Sequence, residues 1–209
     1  MTNSSQGPLP SKISERQRLR HLASTISPAE HLALSNRIGA HVVAYLIKHI
    51  RPQDGAIAVY QAIHTEPDLR LAYSMLREAG FQLALPKVIA PRAALEFMPW
   101  SEGDALVANV WGIGEPQANK PILARHDLAA IVAPCVGYAL GGFRIGYGGG
   151  YYDRTLQNLR SLRPNQAQSN PTLCVGVAFS ICKTMIAESI KNATDQLFDE
   201  IVTELGVLS

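Results

Sequence analysis

The chain alternates short apolar runs with stretches of helical periodicity, and this alternation restricts the fold more than any other feature. Ile57-Ala58-Val59-Tyr60, Gln82-Leu83-Ala84-Leu85, Leu128 to Ala133, Leu173 to Ala178 and Ile201 to Thr203 are each too short for a typical helix. Leu128 to Ala133 is continuously apolar, as a strand covered on both faces would be. Between the first two runs lies a helical pattern with Leu69, Ala72, Met75 and Leu76 on its apolar face, stopping at Gly80, so the region reads as a βαβ unit. A weaker strand over Leu95 to Met98 and a loop-rich stretch over Asn109 to Pro116 follow. Tyr152, Leu156 and Leu159 mark a later helix ahead of a polar loop from Ser161 to Pro171, and Ile201 to Thr203 is expected to be the last strand. The expected class is α/β, a layered, mostly parallel or mixed sheet flanked by helices, with ligands bound at the carboxyl ends of its strands.

Lys12 to Ile50 reads as helical and divides at Ser27-Pro28-Ala29-Glu30, an N-cap, a first-turn proline and a capping-box glutamate. Leu34, Ile38, Val42, Tyr45 and Leu46 then form one apolar stripe, so this N-terminal segment is expected to pack on the sheet. With 209 residues, 47% hydrophobic and 17% charged, the chain can fill one core, and residues 12–209 are expected to form one domain behind a flexible tail, 1–11. The 19 basic side chains nearly balance 17 acidic ones and are scattered, which argues against nucleic-acid binding. Cys135, Cys174 and Cys182 show neither a C-x-x-C pair nor a histidine at zinc-ligand spacing, in keeping with a reduced, cytoplasmic setting. No apolar run is long enough for a signal peptide core or a membrane span, so a soluble protein is expected.

Chemistry concentrates between Gly141 and Arg154, where ten residues hold six glycines: Gly141, Gly142, Gly146, Gly148, Gly149 and Gly150. Such a segment exposes backbone N–H groups, and in the order strand, loop, helix it aims them with a helix N-terminus at an anion, phosphate above all. The spacing matches neither common nucleotide template, because Tyr151 stands where a dinucleotide fingerprint needs glycine and Tyr147 where a Walker A loop needs lysine. On the glycines alone a structural turn is an open alternative. Arg144 can grip phosphate oxygens with its planar fork, and Asp153, in the first turn after the loop, can hold magnesium among them. Taken singly, Arg144 reads equally as a solvated loop charge and Asp153 as a residue complementing the helix dipole.

The run Arg144-Ile-Gly-Tyr-Gly-Gly-Gly-Tyr-Tyr-Asp-Arg154 resembles the signature of the 5-formyltetrahydrofolate cyclo-ligase family. Lys12-Ile-Ser-Glu-Arg16, Val59-Tyr60 through Glu66, Leu85-Pro86, Gly112-Ile-Gly-Glu-Pro116 and Asp195 through Glu204 are similar to the same family in the same order. The resemblance implies ATP- and magnesium-dependent closure of 5-formyltetrahydrofolate, polyglutamylated or not, to 5,10-methenyltetrahydrofolate, with ADP and phosphate released by a monomeric enzyme. It implies that Lys12, Arg16, Arg144, Ile145, Gly146, Tyr147, Gly148, Gly149, Gly150, Tyr151 and Tyr152 bind ATP. Asp153 and Asp195 would be the magnesium carboxylates. Gln61, Glu66 and the stretch Tyr147, Gly148, Gly149, Gly150 and Tyr151 would meet the folate, and Tyr152 and Arg144 would be catalytic. Without the resemblance, Lys12 and Arg16 read as solvated helix charges, Asp195 as a cap or turn residue, Glu66 as a first-turn helix charge and Tyr152 as core. His64 reads as a loop side chain.

Three positions depart from the family pattern. Tyr138-Ala139 stands where Phe-Asp is common, Cys182 where glutamine is common, and Glu15 in place of leucine before Arg16 is expected to set a negative charge beside a phosphate contact. Two other readings compete with a cyclo-ligase. One is a nucleotide- or folate-binding regulatory protein of the same fold without turnover. The other is a sugar-phosphate enzyme, which leaves Lys12 and Arg16 without a task.

Overall fold

Capping boxes set both helices at the start of the computed structural model, which describes residues 11–117, 119–161 and 171–208. Ser11 with Ser14 opens α1 (Lys12–Ser24), and Ser27 with Glu30 opens α2 (Pro28–His49), whose first residue is the expected proline. The tail before Ser11 and most of the loop expected from Ser161 to Pro171 lie outside the described residues. On α2 the buried face is Ser35, Ile38, Gly39, Val42, Val43 and Leu46.

The βαβ unit forms as expected from β1 (Ala56–Ala58), α3 (Arg70–Glu78) and β2 (Leu83–Val88), with β1 and β2 parallel. β1 ends sooner than the apolar run does, yet Val59 N–H still donates to the Ala84 carbonyl and Tyr60 is buried. On α3 the buried face is Ala72, Tyr73 and Leu76, and Met75 is exposed, contrary to the expectation. Met75 lies next to Leu76 but about 100° around the helix, and a short amphipathic helix buries only one stripe.

β3 (Leu95–Trp100) pairs antiparallel with β2. The stretch read as loop over Asn109 to Pro116 is instead the turn and second strand of a hairpin, β4 (Leu106–Ala108) with β5 (Gly114–Pro116). β6 (Leu128–Pro134) reaches Gly146–Gly150 through a second hairpin, β7 (Gly137–Tyr138) with β8 (Arg144–Ile145), whose turn holds Gly141 and Gly142. After α4 (Tyr151–Ser161) come β9 (Leu173–Val177), the single turn α5 (Ala187–Ile190) and β10 (Glu200–Thr203). The expected last strand is followed by one more, β11 (Gly206–Leu208), antiparallel to β10.

The main sheet runs β11-β10-β9-β6-β1-β2-β3, parallel from β10 through β2 and antiparallel at both edges. Alternate strand residues feed two cores. Ile57, Leu83, Val132 and Val175 pack with residues of α1, α2 and α3, whereas Ala58, Ala84, Ile131 and Cys174 pack with Leu156 and Leu159 of α4. The architecture is therefore a helix–sheet–helix sandwich. The strand order reverses between β1 and β6, and a crevice opens at the carboxyl ends of strands at such a point.

Candidate active site

A cleft of about 810 Å³ occupies that crevice. Tyr60 and Gln61 reach it from the end of β1, Pro134 from the end of β6, and the loop Gly146–Gly150 with the start of α4 closes another side. Among the sequence-predicted site residues, Lys12, Arg16, Gln61, Glu66, Arg144, Gly146, Tyr147, Gly148, Gly149, Gly150, Tyr151, Tyr152, Asp153 and Asp195 all line it; Ile145 is fully buried in the core. Segments more than 180 residues apart in sequence thus meet in one place, as the Lys12–Asp195 pair shows.

The glycine run divides into two parts with different work. Gly141 and Gly142 turn the β7–β8 hairpin, and Gly142, at φ +78°, has no room for a side chain because a Cβ there would lie 1.9 Å from the Phe198 carbonyl oxygen. The plain turn is therefore correct for this half. Gly146 to Gly150 form the loop facing the cleft and deliver the chain into α4. Here Gly150 has φ +65°, a conformation that glycine adopts without penalty.

Arg144 is no solvated charge. It is 7% exposed, Nη1 donates to the Pro134 carbonyl at 3.0 Å, and its guanidinium lies over the rings of Tyr152 (5.0 Å) and Phe198 (5.3 Å). Its Nε is buried without a hydrogen-bond partner among the described residues, which leaves a desolvated donor beside the cleft. From α1, Arg16 Nε donates to the Gly146 carbonyl at 2.6 Å, and Lys12 Nζ pairs with Asp195 Oδ1 at 2.5 Å. Neither is an ordinary solvated helix charge. Glu15 is also not where expected: its carboxylate turns away from the cleft, is 6% exposed, and binds Arg18 and Thr184.

Asp153 Oδ1 accepts from Gln196 N–H at 3.2 Å, and Asp195 Oδ2 accepts from Asn192 N–H at 2.8 Å. No group of three or more His, Cys, Asp or Glu that could hold a metal is found among the described residues. Two carboxylates on one cleft suit magnesium, which takes one or two protein carboxylates and fills the rest of its octahedron with water and phosphate oxygens.

Around Arg144 the cleft also carries aromatic side chains and the buried carboxyl of Glu66. Glu66 is 6% exposed, lies ahead of α3 rather than in its first turn, and accepts from Ile63 N–H at 2.9 Å through Oε2. Burial pushes its pKa up to about 7 against the opposing pull of that N–H and of Arg144. Tyr147, half-buried, has its hydroxyl pushed up to about 12 by burial, and its ring lies 5.4 Å below the Arg20 guanidinium. The Tyr152 hydroxyl is raised by burial, against the pull of Arg144, so it is held as a proton donor.

Sequence reasoning missed Trp111, while His64 is the exposed loop side chain expected. Trp111 sits at the β4–β5 turn with its ring 5.8 Å from that of Tyr151, and His64 lies 5.9 Å from Tyr147; both line the cleft. The turn is built by Asn109, whose Oδ1 accepts from the N–H groups of Trp111 and Ile113. The sequence Asn109-Val110-Trp111-Gly112 after the apolar run Ala105 to Ala108 was the available signal.

The chain matches the family model described as the 5-formyltetrahydrofolate cyclo-ligase family over residues 8–204. It is 35% identical over 105 residues to the 5-formyltetrahydrofolate cyclo-ligase of Escherichia coli K12, covering 49% of this chain and 57% of that protein. The match thus spans little more than half the length of that relative. A probable 5-formyltetrahydrofolate cyclo-ligase of Schizosaccharomyces pombe is 25% identical over 131 residues, 62% of this chain and 64% of that protein. Among solved structures, the 5,10-methenyltetrahydrofolate synthetase of Aquifex aeolicus superposes with a TM-score of 0.74 at 26% identity, covering 94% of this chain and 91% of that one. The synthetase of Mycoplasma pneumoniae shares the fold, with a TM-score of 0.71 at 21% identity and 93% and 99% coverage.

Proposed function

The chain belongs to the 5-formyltetrahydrofolate cyclo-ligase family, and on that premise we propose that it closes 5-formyltetrahydrofolate to 5,10-methenyltetrahydrofolate at the expense of ATP. The observation that carries this reading is the juxtaposition in one cleft of a cationic glycine loop, Arg144 with Gly146 to Gly150, and a buried aromatic wall holding Glu66. One side suits a triphosphate; the other suits a pterin with its ring N–H groups.

In this reading the N-formyl oxygen takes the γ-phosphoryl group, ADP leaves, and N10 of the folate attacks the formyl carbon. The C–O bond to phosphate then breaks as N10 loses its proton, giving the methenyl bridge. Arg144, Lys12 and Arg16 hold the phosphates, and the loop amides and the α4 N-terminus favour the charge that develops. Tyr152 keeps its hydroxyl proton and donates it as a hydrogen bond near the formyl oxygen, while Gln61 and Glu66 orient the pterin. Tyr147 and Tyr151 border both ligands. Asp153 and Asp195 would hold magnesium, which supplies charge neutralisation between phosphate oxygens. Most of the acceleration expected here is positioning, since phosphoryl transfer needs little covalent help from the protein. The enzyme is expected to act as a cytoplasmic monomer; no helix among the described residues is long and apolar enough to cross a membrane.

The test is a mixture of protein, Mg-ATP and 5-formyltetrahydrofolate followed by the near-ultraviolet absorbance of methenyltetrahydrofolate, with ATP omitted as the control. ATP-dependent product supports the reading. Binding of both ligands without product overturns it in favour of a regulatory binding protein.

A further inference from the structure

Glu15 is a carboxylate where the family commonly has leucine, and it is buried on the helix that carries Lys12 and Arg16 into the cleft. Buried charges need directed partners, and Glu15 has them. Arg18 binds it through two N–H groups, Nε to Oε2 at 2.8 Å and Nη2 to Oε1 at 2.6 Å, and the Thr184 hydroxyl donates to Oε1 at 2.6 Å. These bonds hold the carboxylate below its ordinary pKa, with the Arg18 bond the largest cause, so it stays charged at neutral pH.

Thr184 in turn leads to the phosphate side of the cleft. Its N–H donates to the Tyr138 carbonyl at 2.7 Å, and Lys183 bridges to Tyr138 as well. Tyr138 is the β7 residue directly across from Arg144 in β8. A chain of two hydrogen bonds and one cross-strand pair therefore runs from the first turn of α1 to Arg144. Leu19 and Ala23 pack α1 on the core, and Lys12 and Arg16 tie it to Asp195 and the Gly146 carbonyl, but the Glu15–Thr184 bond is a directed contact that does not use the side chains meant for phosphate. A helix turned by one residue moves each side chain by about 100°, enough to take Lys12 and Arg16 out of the cleft.

We propose that Glu15 is a positioning residue: through Thr184 it fixes the rotation of α1 against the β7–β8 hairpin, so that Lys12 and Arg16 meet nucleotide phosphates together with Arg144. The inference rests on the nucleotide reading above. The negative charge next to Arg16 is met by Arg18 and Thr184 and does not oppose phosphate.

Calorimetric titration of the full chain with Mg-ATP and, separately, with 5-formyltetrahydrofolate tests it. Loss of a hydrogen bond to a charged group predicts that Thr184→Val weakens Mg-ATP binding about tenfold, while 5-formyltetrahydrofolate binding is unchanged. Thr184→Ser keeps the hydroxyl and is expected to bind Mg-ATP as the unaltered chain does. Glu15→Met, which nearly keeps volume and removes both acceptor oxygens, is expected to weaken Mg-ATP binding in the same selective way and carries the test if Thr184→Val does not fold. A double variant no weaker than Thr184→Val alone supports one shared linkage. Folded variants that bind Mg-ATP normally, or that weaken both ligands equally, overturn the proposal. An unaltered chain that fails to bind Mg-ATP overturns the nucleotide reading itself, a result seen before any variant is made.

Discussion

The two walls of the cleft solve opposite electrostatic problems. On the loop side Lys12, Arg16, Asp153 and Asp195 are each satisfied by a partner within the protein, so charge is held in place before any ligand arrives. On the aromatic side Glu66 is buried, its carboxyl accepts a single hydrogen bond among the described residues, from Ile63 N–H, and its pKa rises to about 7. Paired charges preorganise a surface for anions, whereas a desolvated carboxyl keeps its proton and becomes a titrating contact. Arg144 belongs to both sides, since it lines the cleft beside the loop and its charge pulls the Glu66 pKa down against burial.

Removing Arg144 should therefore break the division most completely. Arg144→Met keeps the apolar stem between Tyr152 and Phe198 but deletes the fork, and turnover is expected to fall about 10³-fold; steady-state kinetics with saturating ligands measure it. A loss under tenfold would shift the weight to Lys12 and Arg16. Gly142→Ala should next disturb the framework of the loop side, because Phe198 N–H donates to the Gly142 carbonyl and the new Cβ would strike the Phe198 carbonyl. Backbone overlap together with positive φ predicts about 4 kcal/mol of destabilisation, read from urea denaturation.

The aromatic side is sharpened by pH. Glu66 is raised from 4.5 to about 7, so between these values the unfolded chain has lost this proton and the folded chain still binds it. Stability from this group is complete below pH 4.5 and declines as pH rises towards 7, by about 3 kcal/mol in all. Glu66→Gln should remove that part of the decline, measured as the difference in unfolding free energy between pH 5 and pH 7.5. An identical pH profile in the variant would mean that Glu66 is charged in the folded protein. The smallest effect is expected for Tyr152→Phe, about a tenfold loss of turnover from one missing donor; an unchanged rate removes the hydroxyl from the mechanism.

Much of the frame was legible because it is written locally. The capping box at Ser27 and Glu30, the stripe on α2 and the run Leu128 to Ala133 each report on residues within a few positions of themselves. Errors came where a partner outside the element decides. Met75 faces solvent because α3 has a single partnered stripe, and the strands around Asn109 exist because they pair with each other. In the site, the glycine motif and Arg144 were evident, but Trp111 reaches the cleft only through its hairpin.

Glu15 marks the same boundary most sharply. From the sequence it was an acid next to a phosphate contact; only folding across 169 positions gives it Thr184 and turns it away from the cleft. The sequence by itself determined the α/β class, the glycine loop and the residue types that can bind phosphate, because periodicity and backbone freedom are properties of adjacent residues. Tertiary structure alone decided which half of the glycine run is a turn, which charges are paired and which carboxyl has its pKa raised by burial. Those outcomes depend on desolvation and hydrogen-bond partners, which are set by segments brought together from opposite ends of the chain.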